Sequence, residues 1–289
     1  MRLLDLLRKS TEQLEAAGIE DPLAEAELLV FYAANMERLD AYVNNPEVTG
    51  SAYAKARRYL KRRLKGEPVQ YIVGHIEFFG LAITVGRGVL IPRPETEMLV
   101  EEAIKTADRW RKNWSLAARR SPLSVLDLCT GSGCIALALA KEFPDAEVIG
   151  TDLSQDALAF AEKNAKLNAI RNAQFLHGPL FDPVKGKRFD LIVANPPYIK
   201  RDEIALLQRE IRDWEPFGAL NGGEDGMDFY REILPAARTY LNPQGAIFLE
   251  LGYDQADAVQ AMAKAHCFRD VTVIKDYAGI KRILKGYLR

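Results

Sequence analysis

Leucines open the chain at helical spacing: Leu3, Leu4, Leu6, Leu7 and Leu14 trace one face of an amphipathic segment. Asp21-Pro22, a cap residue followed by proline at a first helical position, predicts a second helix from Ala24 to Leu39. A third runs from Ser51 to Lys65 and stops at Gly66, so residues 1–66 predict a small all-helical N-terminal domain. The period then changes. Tyr71 to Val85 is β-branched and aromatic, with Gly74 and Gly80 at turns, which predicts a β-hairpin within a linker over 67–92. The loop Leu90-Ile-Pro-Arg-Pro-Glu-Thr-Glu97 leads into a helix to about Arg111, and Lys112 to Pro122 is polar, irregular and expected to be exposed.

From Ser124 strand-like runs alternate with helical ones. Val125–Leu128, Glu147–Thr151, Ala173–His177, Phe189–Ala194, Gln244–Leu251, Asp270–Ile274 and Lys281–Tyr287 read as seven strands. Helical patterns at 134–142, 154–168, 226–240 and 254–265 separate most of them. The alternation predicts an α/β domain over 93–289, with a mostly parallel twisted sheet covered on both faces. No helix separates the last two strands, so they are expected to form an antiparallel edge pair.

The composition is that of a soluble protein: 289 residues, 48% hydrophobic and 27% charged. No apolar run approaches the ~20 residues of a membrane span, and Met1-Arg-Leu-Leu-Asp-Leu-Leu7 is not a signal peptide, so a cytoplasmic location and no membrane partner are expected. The net charge of −1 disfavours a protein that holds duplex DNA through many phosphates, and no stable nucleic-acid binding is expected. Cys129, Cys134 and Cys267 fit neither a zinc spacing nor a disulfide framework, and His75, His177 and His266 are scattered, so no metal site is expected.

Candidate chemistry gathers at predicted strand ends. Asn195-Pro196-Pro197-Tyr198 follows the strand Phe189–Ala194. Two prolines lack amide donors and hold φ near about −65°, so the chain leaves the strand on a stiff path. An Asn side-chain oxygen and a proline carbonyl can then accept both hydrogens of a planar –NH2 group. Asp127-Leu-Cys-Thr-Gly-Ser-Gly133 forms the first strand-to-helix turn, where Gly131 and Gly133 let the backbone approach a ligand and the following helix aims its amides at it. Asp152, at the end of the second strand, suits the two hydroxyls of a ribose, unless it serves as a helix cap; Ser154 is the better cap. Gly131, Gly133 and Ala136 also match the glycine pattern of a nicotinamide dehydrogenase, which would leave Asn195-Pro-Pro-Tyr198 without a task.

Taken together these elements resemble the seven-stranded, Rossmann-like S-adenosylmethionine-dependent methyltransferases that act on nitrogen, whose [Asn/Asp]-Pro-Pro-[Tyr/Phe/Trp] turn holds the target. Gly66-Glu-Pro-Val-Gln-Tyr-Ile-Val-Gly74, Leu90 to Glu97, and Glu215-Pro-Phe-Gly-Ala-Leu-Asn-Gly-Gly-Glu-Asp-Gly-Met-Asp-Phe-Tyr230 are similar to segments of the PrmC/HemK family, and the likeness covers essentially the whole chain. That family methylates the side-chain nitrogen of the glutamine in the Gly-Gly-Gln motif of class-1 peptide chain release factors. The resemblance implies a catalytic domain over 93–289 and a release-factor docking role for 1–66. It implies a cofactor site of Asp127, Cys129, Thr130, Gly131, Ser132, Gly133, Asp152, Leu153, Leu180 and Asn195. It also places the substrate glutamine against Asn195, Pro196, Pro197 and Tyr198, of which Asn195, Pro196 and Tyr198 would be catalytic.

Two positions depart from the family pattern. Cys129 stands where glycine is usual, which is tolerable if its φ is negative. His177-Gly-Pro-Leu-Phe181 lacks the usual acid before the adenine-contacting residue, and Pro179 has no amide to offer, which leaves adenine to Leu180. Alternative acceptors are a glutamine in a ribosomal protein or the adenine amino group of nucleic acid. Arg93, Glu95 and Glu97 are candidates for a lid over the cofactor, with Thr96 or Glu97 as a helix cap instead. The basic run Arg57 to Lys65 is a solvated helix face or a docking surface, and Gly222-Gly223 suggests a flexible loop.

Overall fold

The computed structural model describes residues 1–113 and 122–288, so most of the polar stretch between Lys112 and Pro122 lies outside the described residues. Two compact units are present: Met1–His75 with Gln208–Trp214, and Ile76–Leu207 with Glu215–Arg289. No helix among the described residues is long and apolar enough to cross a membrane.

The first unit is helical, with α1 (Leu3–Ala16), α2 (Pro22–Ala34), α3 (Arg38–Asn44), α4 (Gly50–Arg63) and α5 (Val69–Val73). Leu3, Leu7, Leu14, Leu29, Phe31, Tyr59 and Ile72 meet in its core. The second predicted helix is in fact two. Asn35 adopts a left-handed conformation at φ 53°, which closes α2 before Leu39 is reached. Val69–Val73 is likewise a helix rather than the start of the hairpin: Pro68 precedes it, Gly74 ends it at φ 90°, and Val69 and Ile72 turn into the core. Packing of those side chains overrides their β preference. In the basic helix α4, Arg63 is buried and paired with Glu25 and with Glu210, whereas Arg57, Arg58 and Lys61 are exposed.

In the second unit, β1 (His75–Phe78) and β2 (Leu81–Thr84) form a separate two-stranded sheet, followed by α6 (Pro94–Asn113). The main sheet then builds from β3 (Ser124–Leu128), α7 (Cys134–Glu142), β4 (Glu147–Asp152), α8 (Gln155–Leu167), β5 (Ala173–His177) and β6 (Phe189–Ala194). After the short helices α9 (Arg209–Arg212, part of the first unit) and α10 (Phe217–Leu220), the chain adds α11 (Asp228–Tyr240), β7 (Leu241–Glu250), α12 (Ala256–Ala265), β8 (Phe268–Lys275) and β9 (Lys281–Leu288). The strand order is β5-β4-β3-β6-β7-β9-β8. The first five strands in that order are parallel; β9 runs antiparallel to both β7 and β8. This is the seven-stranded α/β sheet with an antiparallel edge pair that the sequence predicts.

Val125, Leu126 and Leu128 of β3 are fully buried, as a central parallel strand covered on both faces requires. Strand order reverses between β3 and β6, and ligands bind beyond the carboxyl ends of strands at such a switch point. Register aligns Leu128 with Thr151 and with Ala194, and Ala194 with Leu249. The next residues along, Cys129, Asp152, Asn195 and Glu250, therefore leave the sheet at one edge.

Candidate functional site

Asp127, the penultimate residue of β3, has no exposed surface. Its Oδ2 accepts hydrogen bonds from Thr130 Oγ1 at 2.6 Å and the Ala136 amide at 3.1 Å, while Oδ1 has no partner. Burial pushes the carboxyl up to about 7, against the pull of those two bonds. Its neighbour Cys129 has φ 56°, so the condition under which a side chain is tolerated there is not met and the residue carries backbone strain. The Thr130 amide donates to Thr151 O at 3.0 Å, and Gly131 and Gly133 follow at φ 56° and 80°. A Cβ on Gly133 would come within 3.0 Å of Ala161 and Phe175, so close packing as well as conformation demands glycine there.

Asp152 holds this turn from β4. Its Oδ2 accepts from the Gly131 amide and its Oδ1 from the Ser154 amide, both at 2.8 Å. Ser154 Oγ accepts from the Ala157 amide and caps α8, so Asp152 is not the cap. Burial raises the Asp152 carboxyl, opposed by the backbone amides that donate to it. Nearby, Thr151 Oγ1 donates to the Leu180 carbonyl at 2.8 Å, and Leu180 is left-handed at φ 41°. Leu153 is 69% exposed, and its carbonyl lies 2.9 Å from His177 Nε2. No sequence pattern marks Asn164, a fully buried residue of α8. Its Nδ2 donates to Ser132 O at 3.0 Å and Thr84 O at 3.1 Å, and its Oδ1 accepts from the Thr84 amide at 2.8 Å. It ties the glycine turn to the β1–β2 hairpin.

At the β6 end, Pro196 and Pro197 are buried and Asn195 and Tyr198 are half-buried. Asn195 Nδ2 donates to Thr96 Oγ1 at 3.2 Å, Thr96 Oγ1 donates to Glu250 Oε2 at 2.6 Å, and Tyr198 OH donates to Glu250 Oε1 at 3.2 Å. Glu250 is buried, and burial raises its carboxyl above the ordinary range despite the Thr96 and Tyr198 hydroxyls and Arg282. Burial and the facing Glu250 push the Tyr198 hydroxyl far above its usual value. The turn is also held from behind: Gln255 Nε2 donates to Tyr198 O at 2.8 Å and Gly226 O at 3.1 Å, and its Oε1 accepts from the Gly252 amide at 3.1 Å.

The segment over 220–226 is bonded to this turn rather than hanging beside it. Ile199 N donates to Leu220 O at 3.0 Å, and Gly222 N to Ile199 O at 2.9 Å. A Cβ on Gly222 would sit 2.7 Å from Tyr198 Cα and 2.8 Å from Pro197 O. Its glycine is a close-approach device, not a hinge.

The segment Arg93 to Glu97 covers the end of the loop and the first turn of α6. Arg93 Nη2 donates to Glu215 Oε1 at 2.5 Å, Glu97 Oε1 accepts from the Phe79 amide at 2.8 Å, and Glu95 is exposed. Neither Thr96 nor Glu97 caps α6, which begins earlier, at Pro94. Thr96, in the first turn of α6 and with 1% of its surface exposed, is the member of this segment bonded to Asn195 and Glu250.

Two family models match the chain: the PrmC N-terminal domain over residues 5–74 and the methyltransferase small domain over residues 115–213. A release factor glutamine methyltransferase from Thermodesulfovibrio yellowstonii is 47% identical over 262 residues, covering 91% of each chain. One from Geobacter sulfurreducens is 44% identical, covering 93% of this chain and 90% of that one. Among solved structures, a methyltransferase from Pyrococcus furiosus superposes with a TM-score of 0.52 at 21% identity, over 72% of this chain and 89% of that chain, which is a likeness of fold.

Proposed function

The chain belongs to the release factor glutamine methyltransferases, and from that premise we propose how its residues carry out S-adenosylmethionine-dependent methylation of a glutamine side-chain nitrogen. The glutamine is that of the Gly-Gly-Gln motif in a class-1 peptide chain release factor. The residues at the β3–β4 edge fit the cofactor. Asp127 Oδ1 is a buried carboxylate oxygen without a partner, suited to a cationic amino group. Thr130 to Gly133 offer close backbone approach at the start of α7, and Asp152 keeps lone pairs for ribose hydroxyls after accepting one amide on each oxygen. Cys129, Ser132 and Leu153 line the same edge, and Leu180 takes the adenine end. The bound cofactor supplies an electrophilic methyl group on a sulfonium.

The observation that carries this reading is the commitment of Asn195 Nδ2 to Thr96, which leaves Oδ1 as the group that faces a ligand. An amide nitrogen is a weak nucleophile because its lone pair is delocalised into the carbonyl. Asn195 Oδ1 and Pro196 O accept its two hydrogens and aim the lone pair at the methyl carbon. With the cofactor bound, Asn195 and Pro196 would hold that nitrogen while a new N–C bond forms and the methyl group's bond to sulfur breaks. The alkylated nitrogen is then acidic enough to release one proton to water. Pro197 stiffens the turn, and Tyr198 packs over the acceptor amide and excludes water.

Methyl-labelled cofactor incubated with the enzyme and a purified release factor tests this: mass spectrometry is expected to find one methyl group on that glutamine. Label on adenine, or on a glutamine elsewhere, would overturn the assignment. The helical unit is assigned the docking of the substrate protein, supported by exposed Arg57, Arg58 and Lys61 on α4. Reversing those three charges is expected to raise KM for a whole release factor by about tenfold while leaving KM for a short Gly-Gly-Gln peptide within about twofold. Equal changes on both substrates would reject the docking role.

A further inference from the structure

We propose that Thr96 and Glu250 are positioning residues that set which face of the Asn195 carboxamide meets the substrate; the inference rests on the assignment of Asn195 as the acceptor of the target –NH2. A carboxamide has two ends of nearly equal shape and opposite hydrogen-bonding sense. Turned one way, Asn195 offers an oxygen to the incoming amine; turned the other, it offers two hydrogens to a group that is itself all donor. A half-buried Asn at the end of a strand has no intrinsic preference between them. Something must break the tie.

Thr96 breaks it through Glu250. Its hydroxyl has one proton. With Glu250 ionised, the form that the Thr96 and Tyr198 hydroxyls and Arg282 favour, that proton goes to Glu250 Oε2 at 2.6 Å, because a carboxylate oxygen only accepts. The Thr96 oxygen can then only accept from Asn195, which fixes Nδ2 towards it at 3.2 Å and Oδ1 outward. The second carboxylate oxygen of Glu250 accepts the Tyr198 hydroxyl at 3.2 Å, so one anion orients both ends of the Asn195–Tyr198 turn. Tyr230 OH donates to the Glu250 carbonyl at 2.9 Å and holds that residue's backbone at the end of β7. Thr96 and Glu250 are 1% and 2% exposed, so the bond between them is shielded from water. A serine at 96 preserves the relay, whereas a valine, of nearly the same shape, removes it.

The test compares T96V, T96S and N195A in the full-length enzyme. T96V is expected to lower kcat by about ten- to a hundredfold with the affinity for S-adenosylmethionine within about threefold. T96S is expected to recover most of that loss. Within N195A, adding T96V is expected to cost less than about twofold, because Thr96 acts only through the amide that N195A removes. A T96V loss of equal size in both backgrounds would overturn the relay and leave Thr96 a packing residue. An activity-independent readout is the side-chain NH2 of Asn195 in enzyme labelled with ¹⁵N-asparagine, assigned by its absence in N195A. Slow solvent exchange in wild type and T96S and fast exchange in T96V are expected; equal exchange in all three would overturn the inference. If exchange follows expectation while wild type transfers no methyl to glutamine, the orientation stands and the functional reading falls.

Discussion

At the β3–β4 edge, Asp127 and Asp152 are fixed by partners between 2 and 21 residues away along the chain. At the β6–β7 edge, Asn195, Tyr198, Thr96 and Glu250 meet across separations of 52 to 154 residues. The first half is held mainly by backbone amides of one strand-turn-helix and its neighbour, so it is complete once two adjacent strands pair. The second half is a side-chain network that exists only when α6, β6 and β7 have all docked. The two halves should therefore fail differently: damage to the first lowers cofactor affinity, and damage to the second lowers kcat with cofactor bound.

The strongest way to break that contrast is N195A. On the proposed assignment it removes the acceptor for the target amide nitrogen, and it is expected to lower kcat by about a hundred- to a thousandfold, with cofactor affinity weakened by less than about tenfold. Calorimetry for binding and single-turnover assays for chemistry check it; parallel losses would merge the two halves into one. G222A probes the backbone of the same half. Its Cβ would meet Tyr198 Cα at 2.7 Å and Pro197 O at 2.8 Å, so the acceptor turn must shift. Because displacement by about 1 Å can cost 10²-fold, a kcat loss of about ten- to a hundredfold is expected, again with cofactor binding close to wild type.

The same difference in reach explains what the sequence disclosed. Asp127, Gly131, Gly133 and Asp152 share one βαβ span, where spacing alone signals a ligand turn. Asn195 was visible because two prolines mark its turn. Glu250 was not: it lies in the apolar run Phe248-Leu-Glu-Leu251, and no local pattern distinguishes a buried acceptor from a strand's solvent-facing acid. Thr96 was hidden among Arg93, Glu95 and Glu97, whose charges drew the chemical reading although the structure uses two of them to tie the loop to Glu215 and Phe79. The strands and most helices were legible because period and caps are local. The short helix α5 was missed because Ile72 and Val73 read as strand residues, and only the helical core they pack into decides otherwise.

pH separates the cofactor half from its surroundings. Asp127, raised to about 7 in the folded chain from 3.8, holds its proton more tightly folded than unfolded. Between these values the native state binds more protons, so the stability of the free enzyme is expected to fall as pH rises through that window and to level off above about 7. Cofactor binding should show the opposite sign. On the proposed assignment a cationic amino group beside Oδ1 favours the ionised carboxyl, so affinity is expected to rise towards pH 7 with about one proton released on binding at pH 6. Thermal melts and calorimetry in buffers of different ionisation enthalpy check both; D127N should flatten both dependences. An unchanged slope in D127N would assign the titration to Asp152 or Glu250, whose carboxyls are raised too.

The smallest effect belongs to Cys129. With φ at 56° it sits where an L-residue costs roughly 1–2 kcal/mol, one place beyond the central strand and between Asp127 and Thr130. Burial and the facing carboxylates of Asp152 and Asp127 push its thiol well above the usual range, so it stays neutral and gains no charge interaction to offset the strain. C129G removes the strain but adds freedom to the unfolded chain, which returns about 0.5–1 kcal/mol. The net gain expected is therefore about 0.5–1 kcal/mol, a rise of roughly 1–4 °C in melting temperature. The turn's hydrogen bonds run through Thr130, Gly131 and Asp152 and not through the thiol. Cofactor affinity and kcat should thus stay within about twofold. A C129G enzyme that melts higher but binds cofactor far more weakly would show that the thiol, and not the backbone alone, shapes the local half of the site.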